Sequence, residues 1–573
     1  MILKRDSDQT APESPHVHIG LALSGGGFRA SIFHLGVIRR LEELGIMKDV
    51  AVISAVSGGS IIAAYYVCQM EQRLRRLSHS EQHDRNARIS LFEEIAQDFL
   101  KALDHNLRSR AIIFTPYYHP WLFIKTLVSR PFRTGARAEL IQAEYDRWFY
   151  DGNTLDELPS VTPERVGTEC TLLYGPKLVL NTTSLLTGQR VPFSREPVSA
   201  LKELSKVNTN VLPLAKVVGA SAGVPVLFPP TTISGDVLVD GGVCDNQGVE
   251  ALINDDLKCD MLLVSDACGQ MEQADSIGAG ELTVFSRVNS ILQFQVRAKV
   301  LEIMVAWSKL LDTRSFAFVH LFLNLKDRPN VPRISSEFIT MIARLRTDLD
   351  QFSYIEREAL MYHGYTLIDA QVQLYCKDLV NERFPKGDVP PLCVPPLFQD
   401  KPQHTPESRK LIREDLEVGC EGVYLVRCLK KYPAVIGPVL AITSASALAL
   451  MILLCMLNYP IEKTEWLIGK MIYGVIPSAA VKYIDVGMKT MHMTTLGQTI
   501  RGLSGILALL ILFGLCIYAV LWPAYLVVRR LTLARDLAAY RKITGGRDPS
   551  TKWDVPVASQ DEEPKKSTAA TAP

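Results

Sequence analysis

The sequence predicts an α/β protein built on a mainly parallel, doubly wound sheet with flanking helices, followed by a C-terminal pair of membrane-spanning helices. Three observations carry that expectation. Short apolar runs alternate with helical stretches over the first 375 or so residues, the pattern of strand–helix–strand units. Glycine-rich turns fall where strands pass into helices. Two long apolar runs without a single charge lie near the end of the chain.

The elements follow in order. The first seventeen residues are polar and contain proline, and they read as a disordered lead-in without the apolar core of a signal peptide. His18 to Ser24 is a short apolar strand, followed by a glycine cluster and a helical stretch through Leu44. Val50 to Val56 is a second strand that runs directly into a helix rich in small residues. KLVLNTTS, DVLVD, CDMLLVSD and SFAFVHLFLNL read as later strands. Residues 73–164 are charged and carry the aromatic run Phe114 to Phe123, which reads as an insertion over the site. Residues 376–433 are a linker.

The apolar runs span about Ala434–Leu457 and Leu503–Val528. Each exceeds the roughly 20 helical residues that cross a hydrocarbon core of about 30 Å. Arg427, Lys430 and Lys431 precede the first, and Arg529, Arg530 and Arg535 follow the second. The excess of cations on both flanks predicts a hairpin over 434–528, with the large N-terminal region and the 529–573 tail on the cytosolic side.

Composition excludes other classes. The formal charge is +1 with basic residues spread along the chain, so nothing points to nucleic acid. Eleven cysteines without a CxxC pair argue against a structural zinc site or a disulfide framework.

Three motifs carry the chemistry. Ala55-Val56-Ser57-Gly58-Gly59 sits at a strand-to-helix junction, where a sharp turn lifts a serine hydroxyl clear of the backbone. Ala55 stands where the usual elbow has glycine. Ser60 is the rival hydroxyl, suited to capping the helix. Ser24-Gly25-Gly26-Gly27-Phe28-Arg29-Ala30 exposes successive backbone N–H groups able to hold a phosphate or an oxyanion. The same glycines fit a dinucleotide fingerprint, but the second strand ends at Ser57 instead of the acidic residue that fingerprint needs. Arg29 opposes the helix dipole at a cost of about a few tenths of a kcal/mol, which an ion pair or an anionic head group would justify. Val239-Asp240-Gly241-Gly242 places a carboxylate at a strand end, with Asp236, Asp245 and Asp266 as rivals. His34 reads as a packing residue.

Glycine loop, serine and aspartate, in that order, resemble the patatin-like phospholipases and the related cytosolic phospholipase A2 catalytic domains. Asn181–Ser194, Ala220–Pro230 and Leu345–Tyr365 share the resemblance, which covers roughly residues 18–375. Ser24, where patatins usually have aspartate, brings the loop closer to the phospholipase A2 branch. The resemblance implies a patatin-like fold and a Ser57–Asp240 dyad. It also implies Gly25, Gly26 and Gly27 as oxyanion donors, and Arg29 as a contact for the substrate phosphate. The reaction it implies is acyl transfer from a phospholipid or lysophospholipid at a membrane, with no metal or cofactor. A transacylase on the same dyad, and an inactive lipid-binding scaffold, are the alternatives.

Overall fold

The computed structural model describes residues 18–112, 135–159, 175–195, 211–225, 228–254, 259–268, 280–311, 314–325, 334–398, 405–422, 424–456, 522–550 and 553. At its centre is an eight-stranded mixed sheet. The strands are β1 (Ile19–Leu23), β2 (Val50–Val56), β3 (Lys177–Ser184), β4 (Arg190–Phe193), β5 (Thr231–Ile233), β6 (Asp236–Asp240), β7 (Met261–Asp266) and β8 (Ser315–His320). They run in the order β5-β6-β3-β2-β1-β7-β8, with β4 also on β3. Strands β3, β2, β1, β7 and β8 are parallel, while β4, β5 and β6 form the antiparallel flank.

The parallel strands are apolar along their length because both faces of the sheet are covered. Leu21, Leu23, Ile53, Ala55, Leu180 and Leu263 point into one core. Ala22, Val52, Val179, Leu262 and Val264 point into the other. The helices that bear on the site and on the C-terminal runs are α1 (Gly27–Glu43), α2 (Gly58–Leu74), α3 (Arg85–Ala102), α4 (Gly135–Tyr145), α5 (Leu214–Ser221), α6 (Glu281–Ser308), α7 (Tyr354–Tyr375), α8 (Tyr424–Lys431), α9 (Pro433–Met456) and α10 (522–543). α1, α2 and α7 share the first core, and α6 closes the second through Val300, Met304 and Trp307.

α1 and α7 pack so closely that a Cβ on Gly36 would strike the Met361 backbone, and one on Gly364 the Phe33 carbonyl. This near-contact of backbones brings the segment before α7 up against the start of α1, where the glycine loop lies. Phe28 N–H donates to the Asp348 carbonyl at 3.0 Å.

Two expectations concern segments that the structure describes only in part. The described parts of 73–164 pack on the α1/α2 side: Phe92, Phe99 and Phe149 join the first core, and of this stretch only Arg108 reaches the cavity described below. The apolar residues of these described parts pack against α1 and α2. The aromatic run Phe114–Phe123 lies outside the described residues. For the expected hairpin, α9 extends to Met456, with several side chains beyond Ser446 outside the described set, and the second run is described only from Trp522. Among the described residues no helix is long and apolar enough to cross a membrane.

Candidate active site

β2 ends in a turn that sets Ser57 at φ 50°, ψ −118°, a conformation costing a non-glycine residue about 1–3 kcal/mol. The turn is possible because the residues behind it are small. A Cβ on Gly59 would strike the Leu23 and Ser24 carbonyls at the end of β1. The strain is held in place by Ser221 at the end of α5. Its Oγ accepts from the Ser57 N–H at 3.2 Å and donates to the Asn181 carbonyl on β3 at 2.6 Å. Its carbonyl accepts from the Gly241 N–H at 3.3 Å. One serine thus ties the elbow to the turn that carries Asp240.

Asp240 arrives from the opposite direction. β6 is antiparallel to β3, with Asp240 opposite Thr182, while Val56 at the end of parallel β2 lies opposite Asn181. Ser57 follows Val56, so serine and aspartate come level across β3. The expectation of a carboxylate at the end of a parallel strand is corrected: β6 descends to that level from above.

Asp240 is buried, and its pKa is pushed up to about 6. Desolvation is the main cause, opposed by the Gly242 N–H, which donates to Oδ1 at 2.7 Å, and then by the Ser57 hydroxyl. The serine acts on the carboxyl without reaching full hydrogen-bond geometry, and Oδ2 has no partner among the described residues. The rivals are saturated. Asp245 accepts from the Gln247, Gly248 and Glu250 amides. Asp266 takes the Cys268 amide, Gln247 and Arg297. Asp236 accepts from Ser184 and from the Val237 amide. Ser60 is fully buried and shares a 2.8 Å hydrogen bond with Ser221, so it is a strut.

The glycine loop divides. Gly25 N–H donates to the Asn246 carbonyl at 3.0 Å, so this amide is spent on holding the loop and is corrected as an oxyanion donor. Gly26 and Gly27 have φ of 134° and 58°, and their amides have no partner among the described residues. Gly58 was not anticipated. It opens α2 directly against Gly27 at the start of α1, with no room between them for a Cβ. Two helix N-termini, with their unpaired first amides and partial positive charge, therefore meet beside Ser57.

Arg29 is 3% exposed. Its guanidinium donates to the Ala343, Leu345 and Ala267 carbonyls at 3.2, 2.7 and 3.0 Å, and burial lowers its pKa to about 10. Neither an ion pair nor an anionic ligand is needed to explain it. It braces the glycine loop, the β7 end and the segment before α7, and Nε alone has no partner among the described residues. His34 is more than packing: Nε2 donates to the Ser24 carbonyl at 2.9 Å and Nδ1 accepts from Ser265 Oγ at 2.7 Å, with burial lowering its pKa to about 4.

Ser57, Asp240, Gly26, Gly27, Gly58 and Arg29 line one open cavity of about 460 Å³. Asn246 and Cys268 line it too and were missed. The Asn246 amide donates to the Cys268 thiol at 3.0 Å. Its Oδ1 sits where a Cβ on Gly25 or Gly242 would fall, so it wedges the glycine loop against the aspartate turn. Its spacing after the Asp-Gly-Gly turn was the available signal. Part of the remaining wall is apolar (Ile61, Ala222, Val224, Pro225, Phe228 and Phe294), as a lipid chain would require, and part is charged or polar, with Arg108, Arg287, Arg297 and Asp348 among its residues.

Residues 21–253 match the family model described as patatin-like phospholipase. The matched stretch contains the glycine loop, Ser57 and Asp240. No curated protein matches the chain. Solved structures with some likeness include VipD from Legionella pneumophila, at 14% identity and TM-score 0.26, covering 94% of this chain and 89% of that one. Human GIVD cytosolic phospholipase A2, in complex with methyl gamma-linolenyl fluorophosphonate inhibitor and terbium chloride, matches at 12% identity and TM-score 0.34, covering 65% of this chain and 60% of that one. The patatin-like match thus rests on the sequence from β1 to beyond β6, which supplies part of the cavity wall, while Cys268, Phe294 and Asp348 among others come from later in the chain.

Proposed function

We propose that the chain is a serine lipid acyl hydrolase in which Asp240 takes the proton of Ser57 and the Ser57 oxygen attacks an ester carbonyl of a phospholipid or lysophospholipid. The observation that carries this reading is the convergence of a strained, cavity-facing serine with a buried aspartate that keeps one oxygen uncommitted. A carboxylate at its ordinary pKa is a weak base, and one raised to about 6 is better matched to neutral pH. The developing oxyanion is met by the amides of Gly26, Gly27 and Gly58, where loss of one donor typically costs about 3–4 kcal/mol in the transition state. Asp240 returns the proton to the leaving alcohol, and water then releases the acyl group from Ser57 by the same route.

The membrane hairpin over 434–528 is part of the proposal, with the catalytic region on the cytosolic side. Its support beyond sequence is at its base. Tyr424 and Ile436, entering the first run, cluster with Tyr525 and Val528, leaving the second, and Tyr432 donates to Asp536 at 2.7 Å. The two ends of the apolar stretch are thus held side by side.

The test is ester release from mixed phospholipid vesicles by the full chain and by Ser57→Ala. Release by the wild type that disappears in the variant is the expected result. Equal release by both would place the nucleophile elsewhere, and none from either would end the hydrolase reading.

A further inference from the structure

Helix α6 is apolar on two sides. Val300, Met304 and Trp307 face the sheet, while Val284, Val288, Ile291, Leu292 and Phe294 are exposed on the same helix, Val288 at 47% and Leu292 at 59%. A surface helix in water normally turns polar residues outward, and a contiguous apolar strip left uncovered marks an interaction face. Exposed apolar residues continue along the helix to Leu301, Ile303 and Val305, interrupted where Lys299 and Glu302 form an exposed 2.8 Å ion pair. The first half of the helix is the half beside the active site. Ser290, Gln293, Phe294 and Arg297 line the Ser57 cavity. Across its mouth, Val224 and Val243 line the same cavity and are also exposed, at 37% and 43%. The strip therefore runs over the rim into the catalytic cavity.

A second observation says what covers it. The Asp348 wall of the cavity pairs with Arg108 at 3.3 Å and with Arg427 at 3.8 Å. Arg427 lies in α8, six residues before α9 and the first uncharged run begin. The cavity mouth and the root of the apolar C-terminal runs are thus neighbours. A surface that abuts both the entrance for an acyl chain and the foot of a bilayer-length apolar segment matches a bilayer better than a protein partner.

We propose that the exposed strip of α6 and the adjoining apolar rim of the Ser57 cavity form the face that the protein lays on a phospholipid bilayer, so that lipid passes from the membrane into the cavity without crossing water. This rests on the hydrolase reading for its purpose, but the face can be tested without it. Aromatic and aliphatic side chains at the headgroup boundary hold a helix by buried apolar area, and an acidic substitution there opposes both burial and approach to the membrane.

The experiment uses the full chain reconstituted in phosphatidylcholine vesicles, with Val288→Asp and Leu292→Asp combined. Neither residue lines the cavity. Hydrolysis of long-chain phospholipid in the vesicle is expected to fall at least fivefold, while hydrolysis of a monomeric short-chain p-nitrophenyl ester stays within twofold of wild type. Unchanged vesicle hydrolysis, or an equal fall on both substrates, overturns the proposal. Should the wild type cleave neither substrate, the hydrolase reading fails and the face is judged separately by Leu292→Trp in vesicles containing brominated phospholipid. Tryptophan quenching beyond that of the wild-type chain is expected, and none overturns the proposal. A wild type that sediments as a dimer in detergent, with the double variant a monomer, assigns the strip to a second copy and also overturns it.

Discussion

Two buried aspartates, Asp240 and Asp369, are both nearly out of water, at 6% and 2% exposure, and the protein treats them in opposite ways. Asp369, on α7, is fully engaged. Arg40 of α1 donates to it at 2.8 Å and Gln373 at 2.9 Å. Arg40 in turn reaches Glu43 at 3.0 Å and the Pro390 carbonyl at 2.7 Å. Burial alone would lower the Arg40 pKa, but Asp369, Tyr365 and Glu43 raise it above its ordinary value. Asp240 has no cation, one backbone donor, and a carboxyl oxygen without a partner. At the α1–α7 seam the desolvation of charge is offset by pairing. At the cavity it is left standing, and the unsatisfied oxygen is what can take a proton.

The sharpest break of this contrast is Ser57→Ala. Activity is expected to fall at least about 1,000-fold, as it does when one member of a nucleophile–base unit is lost, with stability changed by no more than about 0.5 kcal/mol. Asp240→Asn should be comparably inactive, and the double variant hardly worse than either, because the two residues act as one. Steady-state ester release, with thermal melts on the same samples, reads both quantities. Losses that multiplied would mean the two side chains act independently.

On the structural side, Arg40→Met leaves Asp369 buried without a cation, while Glu43 keeps Arg39 and Tyr365, and should destabilise the fold by about 3–5 kcal/mol. Asp240→Asn should do the reverse. Its folded pKa of about 6 lies above the ordinary 3.8. The stability it contributes is therefore fully present below about pH 4 and lost as pH rises through 6. At pH 8 the wild type bears a cost of about 3 kcal/mol that the asparagine lacks. Denaturation of the variant against wild type at pH 8 and again at pH 4 checks this, with the gap closing at the lower pH.

Arg29 sits between the two cases: a buried charge without a carboxylate, held by three carbonyls, with Nε lacking a partner among the described residues. Arg29→Ala should lower stability by about 3 kcal/mol, since hydrogen bonds from charged groups each contribute roughly 1.5–3. It should also slow a charged phospholipid and an uncharged ester alike. A loss confined to the phospholipid would restore a head-group role.

The central parallel strands and the elbow were legible because their signals are local: continuous apolar runs, and small residues around Ser57. The antiparallel approach of β6 was not, since DVLVD reads the same in either direction and only its pairing with β3 fixes it. The bracing contacts of Arg29 were hidden for a related reason. Its carbonyl partners lie as many as 316 residues away, and no spacing rule reaches that far. Ser221 and Asn246 carry no chemistry by residue type and acquire their roles only where loops from distant segments meet. Gly25 was taken with its two neighbours because sequence cannot tell which of three consecutive amides the fold will use for itself.

The mildest intervention is to change only the protonation of Asp240. As general base it must be ionised, and its pKa is about 6. On a neutral soluble ester, kcat/KM should be level above pH 7 and fall about tenfold per unit once pH drops well below 6. An ordinary exposed carboxylate would place that limb near 4. The raised value comes first from desolvation, so admitting water should lower it. Phe228 lines the cavity, and Phe228→Ser should shift the limb downward while leaving the plateau within a few-fold of wild type. The Arg40–Asp369 seam would contribute no such shift, because neither residue lines the cavity. A limb that stays at 6 in the variant would tie the raised pKa to the fixed turn around Gly242 and not to the dryness of the cavity.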